Sequence, residues 1–134
     1  MGPEGKIRFV GWTLAALWGY ATVATVLQLT GLLIAGPNNG AEWFLLGMMI
    51  VGLVITFTAT LFSYRYQAGL KGSVRYATLS FRILLVACGV VLLSLLWRGT
   101  VGQFLITACM LLVWVLPHGA AHYLARQHPY LFRK

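Results

Sequence analysis

Residues Ser63 to Arg82 read SYRYQAGLKGSVRYATLSFR and decide the fold. The segment holds Arg65, Lys71, Arg75 and Arg82, which are four of the ten basic residues in the chain, and it holds no acidic residue. An apolar run of about twenty residues, long enough to cross a bilayer, flanks it on each side. A cationic loop between two such runs is typical of a connection between membrane-spanning helices.

The composition of the whole chain also indicates a membrane protein. Of its 134 residues 60% are hydrophobic and 9% are charged, whereas soluble domains have about 25% charged residues. A globule of this size cannot bury so much apolar surface, so its solvent must be lipid. The formal net charge is +8, but the cations lie at the ends of apolar runs. That placement favours topology signals and contacts with anionic lipid headgroups, and we expect no nucleic-acid partner.

Breaks in hydropathy predict an all-α membrane protein with four transmembrane helices. We place them at about residues 9–35, 42–64, 78–97 and 101–123 of a single domain, residues 1–134. The turn sequence GPNNG separates the first two helices and RGT separates the last two. Pro117 lies in the last third of the fourth helix, where a kink or a freed backbone carbonyl is expected.

The distribution of Lys and Arg predicts the orientation, because these residues resist translocation across the membrane. Besides the central segment, basic residues occur in the N-terminal tail (Lys6 and Arg8) and in the C-terminal tail (Arg126, Arg133 and Lys134). The two remaining loops contain only Arg98. We therefore expect both termini and the central loop to be cytoplasmic, in a multi-pass protein of the cell (inner) membrane.

The two halves of the chain resemble each other. The stretch KIRFVG aligns with SVRYAT, so that Arg8 matches Arg75, and FSYRYQ aligns with YLARQH, so that Arg65 matches Arg126. These matches predict an internal repeat of about residues 6–66 and 73–127. Each half would be a helical hairpin that starts and ends in the cytoplasm, and the two tandem hairpins would have parallel topology.

The entries IRFVG and VRYAT and the tails FSYRYQ and HYLARQHPYLF resemble the GtrA-like family of small four-helix membrane proteins. That family typically opens each half with a basic-aromatic-x-x-Gly sequence and closes each with an aromatic, a polar residue and Arg. The resemblance covers nearly the whole chain. This sequence departs from the pattern at Thr78, where Gly is usual, and at Leu61 and His122, which stand near the positions of tail asparagines.

The resemblance implies a translocase (flippase) for a polyprenyl-phosphate-linked sugar in the assembly of cell-envelope glycans, which is not an enzyme and uses no cofactor. An alternative is a non-transporting scaffold or accessory subunit for a membrane glycosyltransferase or another membrane complex. The implied partners are the sugar lipid, membrane lipids and, in the scaffold alternative, such a glycosyltransferase. Because four short helices enclose little volume, we also expect a homo-oligomer.

Arginine suits a lipid phosphate because its planar guanidinium donates two hydrogen bonds at once. The symmetry-matched candidates for the cytoplasmic mouth are Arg8, Arg65, Arg75 and Arg126. Arg82 lies one to two turns inside the third helix, on the same face as Arg75 seven residues earlier. The alternative is that these side chains anchor the helix ends and extend to the interface.

Polar residues inside the spans could line a path for a headgroup. The candidates are Tyr64, Thr56, Thr60, His118 and His122. The two histidines are spaced i, i+4 and share a helix face, but zinc needs further ligands, and His128 lies beyond the membrane. We expect no metal, and two readings stay open: hydrogen bonds between helices, or a paired histidine site across a dimer.

Some function classes lack the residues they need. The predicted spans contain no acidic residue except Glu42 at the outer edge of the second, whereas a proton-coupled exporter of cationic drugs needs a membrane-embedded carboxylate. No paired carboxylates, no nucleophile with a base and no Gly-rich phosphate loop are evident. The sequence therefore favours transport or binding over catalysis.

Overall fold

The computed structural model describes residues 1–133. Within them lie four α-helices: α1 (Pro3–Ala35), α2 (Gly40–Gln67), α3 (Ser73–Arg98) and α4 (Val101–Gln127). A short 3-10 helix, Pro129–Leu131, follows α4, and these residues include no β-strand. The predicted all-α fold with four long apolar helices is confirmed.

All four helices are long and apolar enough to cross a membrane. The shortest, α3, has 26 residues, which corresponds to about 39 Å of helix against a hydrocarbon core of about 30 Å. Large apolar side chains such as Phe44, Ile83 and Met110 are exposed on the outside of the bundle, where lipid tails would cover them. The chain is therefore a multi-pass membrane protein.

We call the end of the bundle that contains the start of α1, the α2–α3 connection and the end of α4 the basic end. Here the helices extend beyond the predicted spans: α1 begins at Pro3, α2 ends at Gln67, α3 begins at Ser73 and α4 ends at Gln127. Hydropathy detects where lipid stops, but backbone hydrogen bonding continues into the interface. Arg8, Arg65, Arg75 and Arg126, predicted for loops and tails, consequently lie on helices.

Consecutive helices pack as hairpins, α1 against α2 and α3 against α4. The hairpins meet through α1 and α4 and, less extensively, through α2 and α3. This order agrees with short connections between neighbouring antiparallel helices. The internal repeat in the sequence stays a prediction.

Local sequence explains the helix starts at the opposite end of the bundle. The side chain of Asn39 accepts a hydrogen bond from the backbone N–H of Glu42 at 2.9 Å, and the Glu42 carboxylate accepts one from the N–H of Asn38. Thr100 and Gln103 form a reciprocal capping box at the start of α4. Each interaction satisfies backbone donors that the first turn of a helix leaves free.

The buried core lies toward the basic end. Its members are Ile7, Leu14, Tyr66, Ala77, Ala121, Leu124, Ala125 and Phe132. Three of them are alanines, and small side chains let helix backbones approach closely in a membrane. A Cβ atom on Gly11 would lie 2.4 Å from Cβ of Gln67 and 2.7 Å from its Cα. The crossing of α1 and α2 at this point therefore requires glycine.

Candidate functional site

A cavity of about 300 Å³ opens at the basic end. We call it the basic-end cavity. Three parts of the chain line it: Glu4, Ile7 and Arg8 of α1, Gln67 to Gly69 at the end of α2, and Tyr130, Leu131 and Arg133. The last three belong to residues 129–133, which we call the C-terminal segment.

The helical register of α1 turns Glu4, Ile7 and Arg8 toward the same side, because they are spaced i, i+3 and i+4. Ile7 is buried in the core, whereas Glu4 and Arg8 remain exposed. The buried side chain thus fixes the rotation of α1. The two charged groups are held at the cavity, where they can reach a ligand from the aqueous side.

The C-terminal segment forms one wall of the cavity because Phe132 anchors it. Phe132 is 4% exposed and packs against the ring of Tyr66, with 5.0 Å between ring centroids. The Tyr66 hydroxyl in turn donates a 2.7 Å hydrogen bond to the carbonyl of Ala121 in α4. One aromatic residue therefore ties α2, α4 and the C-terminal segment together.

Gly69 allows the α2–α3 connection to approach that same wall. Its φ angle is +68°, and a Cβ atom there would lie 2.7 Å from the carbonyl oxygen of Leu131. A side chain would be strained by the backbone angle and would also collide with this oxygen. The contact keeps the C-terminal segment beside the end of α2.

The charged groups of the basic-end cavity are two guanidiniums and one carboxylate, from Arg8, Arg133 and Glu4. Guanidinium groups bind phosphate through paired hydrogen bonds. The amide of Gln67 adds both a donor and an acceptor. The cavity can therefore bind an anionic group and hydrogen-bond a polar group attached to it.

Of the five arginines predicted to bind phosphate, Arg8 lines the basic-end cavity. The other four, Arg65, Arg75, Arg82 and Arg126, are exposed and are not part of its lining. The Arg65 guanidinium carbon lies 5.8 Å from the centroid of the Phe62 ring, which is a cation–π distance. Four of the candidates therefore lie outside this cavity: Arg65, Arg75 and Arg126 close to the basic end, and Arg82 nine residues inside α3.

Sequence reasoning missed Glu4 and Arg133 as members of the site. Glu4 precedes the first predicted span and Arg133 lies in the predicted C-terminal tail, where YLF, residues 130–132, resembles a family ending and directly precedes it. That aromatic ending was the available signal, because a buried Phe132 fixes the position of its neighbour.

His118 is buried and joins α1 to α4. Its Nε2 accepts a hydrogen bond from the indole Nε1–H of Trp18 at 3.1 Å, and its Nδ1 lies 2.7 Å from the carbonyl oxygen of Trp114. A carbonyl can only accept, so Nδ1 carries the proton and the ring is neutral in this geometry. The polar atoms of this histidine are used between helices.

His122 connects α4 to α3 instead. Its Nδ1 lies 3.2 Å from the Thr78 hydroxyl oxygen, and its ring stacks on Phe81 at 5.3 Å between centroids. Within residues 1–133, no group of three or more His, Cys, Asp or Glu side chains could hold a metal ion. Thus each predicted histidine contacts another helix, and the two do so in different directions.

The predicted path residues of α2 have local partners. Thr60 donates to the carbonyl of Thr56 at 2.8 Å and lies 3.4 Å from the hydroxyl oxygen of Thr22 in α1. Thr56 donates to the carbonyl of Leu53 at 3.2 Å. Tyr64 is exposed and packs edge-to-face on Trp12 at 5.8 Å. The two threonines lie near the α1–α2 contact, while Tyr64 faces the outside of the bundle.

A further polar contact links α2 to α3 near the basic end. Ser63 donates to the carbonyl of Ala59 at 2.7 Å, and the Tyr76 hydroxyl donates to the same carbonyl at 3.2 Å. Ser73, also buried, has no hydrogen-bond partner for its hydroxyl among the described residues.

Four apolar helices and a small charged cavity at one end define a compact multi-pass membrane protein with a candidate ligand site. No family model, no curated protein and no solved structure matches the chain. The resemblance to the GtrA-like family consequently rests on the sequence motifs given above.

Proposed function

We propose that this protein is a translocase for a polyprenyl-phosphate-linked sugar in the assembly of cell-envelope glycans. In this proposal the chain lies in the cell (inner) membrane with its basic end toward the cytoplasm. The observation that supports the proposal is the basic-end cavity, whose lining includes the two guanidinium-bearing residues Arg8 and Arg133.

The physical task of such a protein fits the structure. An isolated charge at the centre of a bilayer costs at least about 2.5–3.5 kcal/mol, so a phosphate needs polar partners on its way. The prenyl chain needs none, because it can stay in lipid beside the exposed apolar faces of the helices. Only the headgroup must be held by the protein. The basic-end cavity, at about 300 Å³, has the volume of a site for a small ligand.

The exposed arginines have a separate role in this proposal. Arg65, Arg75 and Arg126 lie close to the basic end and Arg82 lies nine residues inside α3, and none of the four lines the cavity. Basic residues near an anionic leaflet contribute about 1 kcal/mol each to attraction. These side chains would collect the anionic lipid at the inner leaflet and pass it toward Arg8.

The cavity is at the lower limit of the volumes usual for ligand sites, about 300–1,000 Å³. A path through the whole bilayer needs more polar surface than this cavity supplies. We therefore propose that the translocase works as a homo-oligomer, in which a second copy completes the path along the exposed helix faces.

A second candidate function is a non-transporting scaffold for a membrane glycosyltransferase. The observation that favours it is that several polar side chains inside the bundle already bond other helices, in the pairs Trp18–His118, Thr78–His122 and Thr22–Thr60. Polar groups used in this way hold helices together and are not free for a passing headgroup.

Reconstitution distinguishes the two functions. Liposomes with the purified protein and a labelled polyprenyl-phosphate sugar should give an externally added sugar-processing enzyme faster access to the label than empty liposomes. Arg8→Lys keeps the charge that sets topology but loses the paired hydrogen bonds, so we expect transport to fall about tenfold. Arg98→Lys, at the opposite end of the bundle, is the matched control and should transport normally.

Equal access with and without the protein would contradict the translocase function. In that case, higher activity of a glycosyltransferase purified together with the protein would support the scaffold. An equal loss of transport in Arg8→Lys and Arg98→Lys would show that transport does not depend specifically on the basic-end cavity.

A further inference from the structure

The position of Glu4 needs an explanation. The chain has two acidic residues, and one of them, Glu42, bonds the backbone N–H of Asn38 at the start of α2. The other, Glu4, lines the basic-end cavity together with Arg8 and Arg133. A cavity that served only to attract anions would be better without a carboxylate, because like charges repel.

The helix dipole accounts for part of this placement. An acidic residue in the first turn of a helix is favourable, and Glu4 is in the first turn of α1. Any first-turn position would serve that purpose, however. The register places Glu4 on the side of Ile7 and Arg8, so the carboxylate faces the same cavity as the guanidinium groups.

A carboxylate in this place discriminates between ligands. A headgroup that carries phosphate alone brings its negative charge close to Glu4 and gains nothing from it. A headgroup that also carries a protonated amine pairs its phosphate with the two arginines and its ammonium with Glu4. Specificity of this kind comes from disfavouring the wrong ligand as well as from binding the right one.

We propose that the basic-end cavity selects a phosphate-linked headgroup that carries a protonated amine, in this membrane context an amino sugar. Arg8 and Arg133 bind the phosphate, Glu4 binds the ammonium, and the Gln67 amide bonds the sugar hydroxyls. This inference rests on the proposed function, since it names the class of sugar that the same site would take.

Two soluble probes that differ by one group test it. Glucosamine 1-phosphate and glucose 1-phosphate are titrated calorimetrically into the protein in lipid nanodiscs. The amino sugar should bind about fivefold more tightly, the upper range for a charge pair open to solvent. Glu4→Gln should remove this preference by weakening the amino sugar alone. Glu42→Gln changes the chain's other acid at the opposite end of the bundle and should keep the preference.

The remaining outcomes separate this inference from the proposed function. Equal binding of the two probes to the unchanged protein would overturn the proposed selection of an amine. It would not contradict the proposed translocase function. Failure of both probes to bind would overturn both, because the cavity would then not be a headgroup site. Phosphoethanolamine is a third probe. If it binds as tightly as glucosamine 1-phosphate, the binding of an amine together with a phosphate is supported. The ligand would then be the headgroup of an ordinary aminophospholipid, and the proposal of an amino sugar would be overturned.

Discussion

At Gly11 the backbone of α1 meets the end of α2, and the contact leaves no room for a side chain. The nearest atoms to a Cβ at this position include backbone atoms of Gln67, which cannot move aside as a flexible side chain would. Gly19, two turns further along the same helix, has no atom within 4 Å of a Cβ placed on it. These two glycines therefore have different physical reasons to be glycine.

We expect Gly11→Ala to destabilise the protein by about 1–3 kcal/mol, because α1 and α2 must separate to admit the methyl group. Gly19→Ala should be neutral or stabilising by up to about 1 kcal/mol, since alanine favours a helix where space is free. Thermal unfolding in the same detergent measures both. Equal stability of the two variants would contradict the close crossing.

His118 offers a second test at the scale of single residues. Replacing it with Phe keeps a ring but leaves the part-buried indole N–H of Trp18 without an acceptor. A fully buried donor without a partner costs about 1–3 kcal/mol and a part-buried donor costs less, so His118→Phe should unfold at a somewhat lower temperature. His128→Phe changes a histidine outside the four helices and is the control. Normal stability of His118→Phe would show that the Trp18 bond contributes nothing.

Among the elements, the C-terminal segment could be predicted least well from the sequence. The four helices were predictable because lipid requires long apolar runs with internally satisfied backbones, and those runs are visible in the chain. The 3-10 turn Pro129–Leu131 and its packing depend on Phe132 reaching Tyr66. Hydropathy carries no information about a contact between residues so distant in sequence.

Phe132→Ala tests the role of this segment as a wall of the basic-end cavity. Loss of a buried phenylalanine costs about 3–5 kcal/mol in well-packed cores, and the side chain is 4% exposed. We expect a clear loss of thermal stability and weaker binding of both sugar phosphates. Tyr130→Ala removes a neighbouring ring that is half exposed, and the thermal stability of this variant should differ little from that of the unchanged protein. Similar unfolding temperatures for both variants would contradict the anchoring role of Phe132.

The charged site, too, could be predicted from the sequence only in part. Arg8 was predicted because an Arg beside an aromatic residue at the mouth of a helix is a local pattern. Glu4 and Arg133 were not, because they come from the two ends of the chain and meet only through the packing of α1 against α4 and the C-terminal segment. Arg82 was predicted from its depth in the membrane; its side chain is exposed on α3, and its role in binding phosphate stays a prediction.

At the scale of the whole molecule, the orientation of the bundle can be tested independently of function. With Cys88 and Cys109 replaced by Ala, single cysteines at Lys71 and Asn38 report on opposite ends, and both positions are exposed. We expect an impermeant maleimide added outside intact cells to label Asn38→Cys and not Lys71→Cys, as the positive-inside rule requires. The reverse pattern would place the basic end in the outer leaflet and contradict the proposed direction of entry.

The contact between the two hairpins contains two tryptophans, whose fluorescence can report on that contact. Trp18 of α1 and Trp114 of α4 are 5.0 Å apart between ring centroids, and His118 lies edge-on to Trp18 at 5.7 Å. The emission of an indole depends on its surroundings, and each of these two indoles has the other as a close neighbour. Any motion that parts α1 from α4 would change the surroundings of both indoles, so the fluorescence of the unlabelled protein can report such a motion.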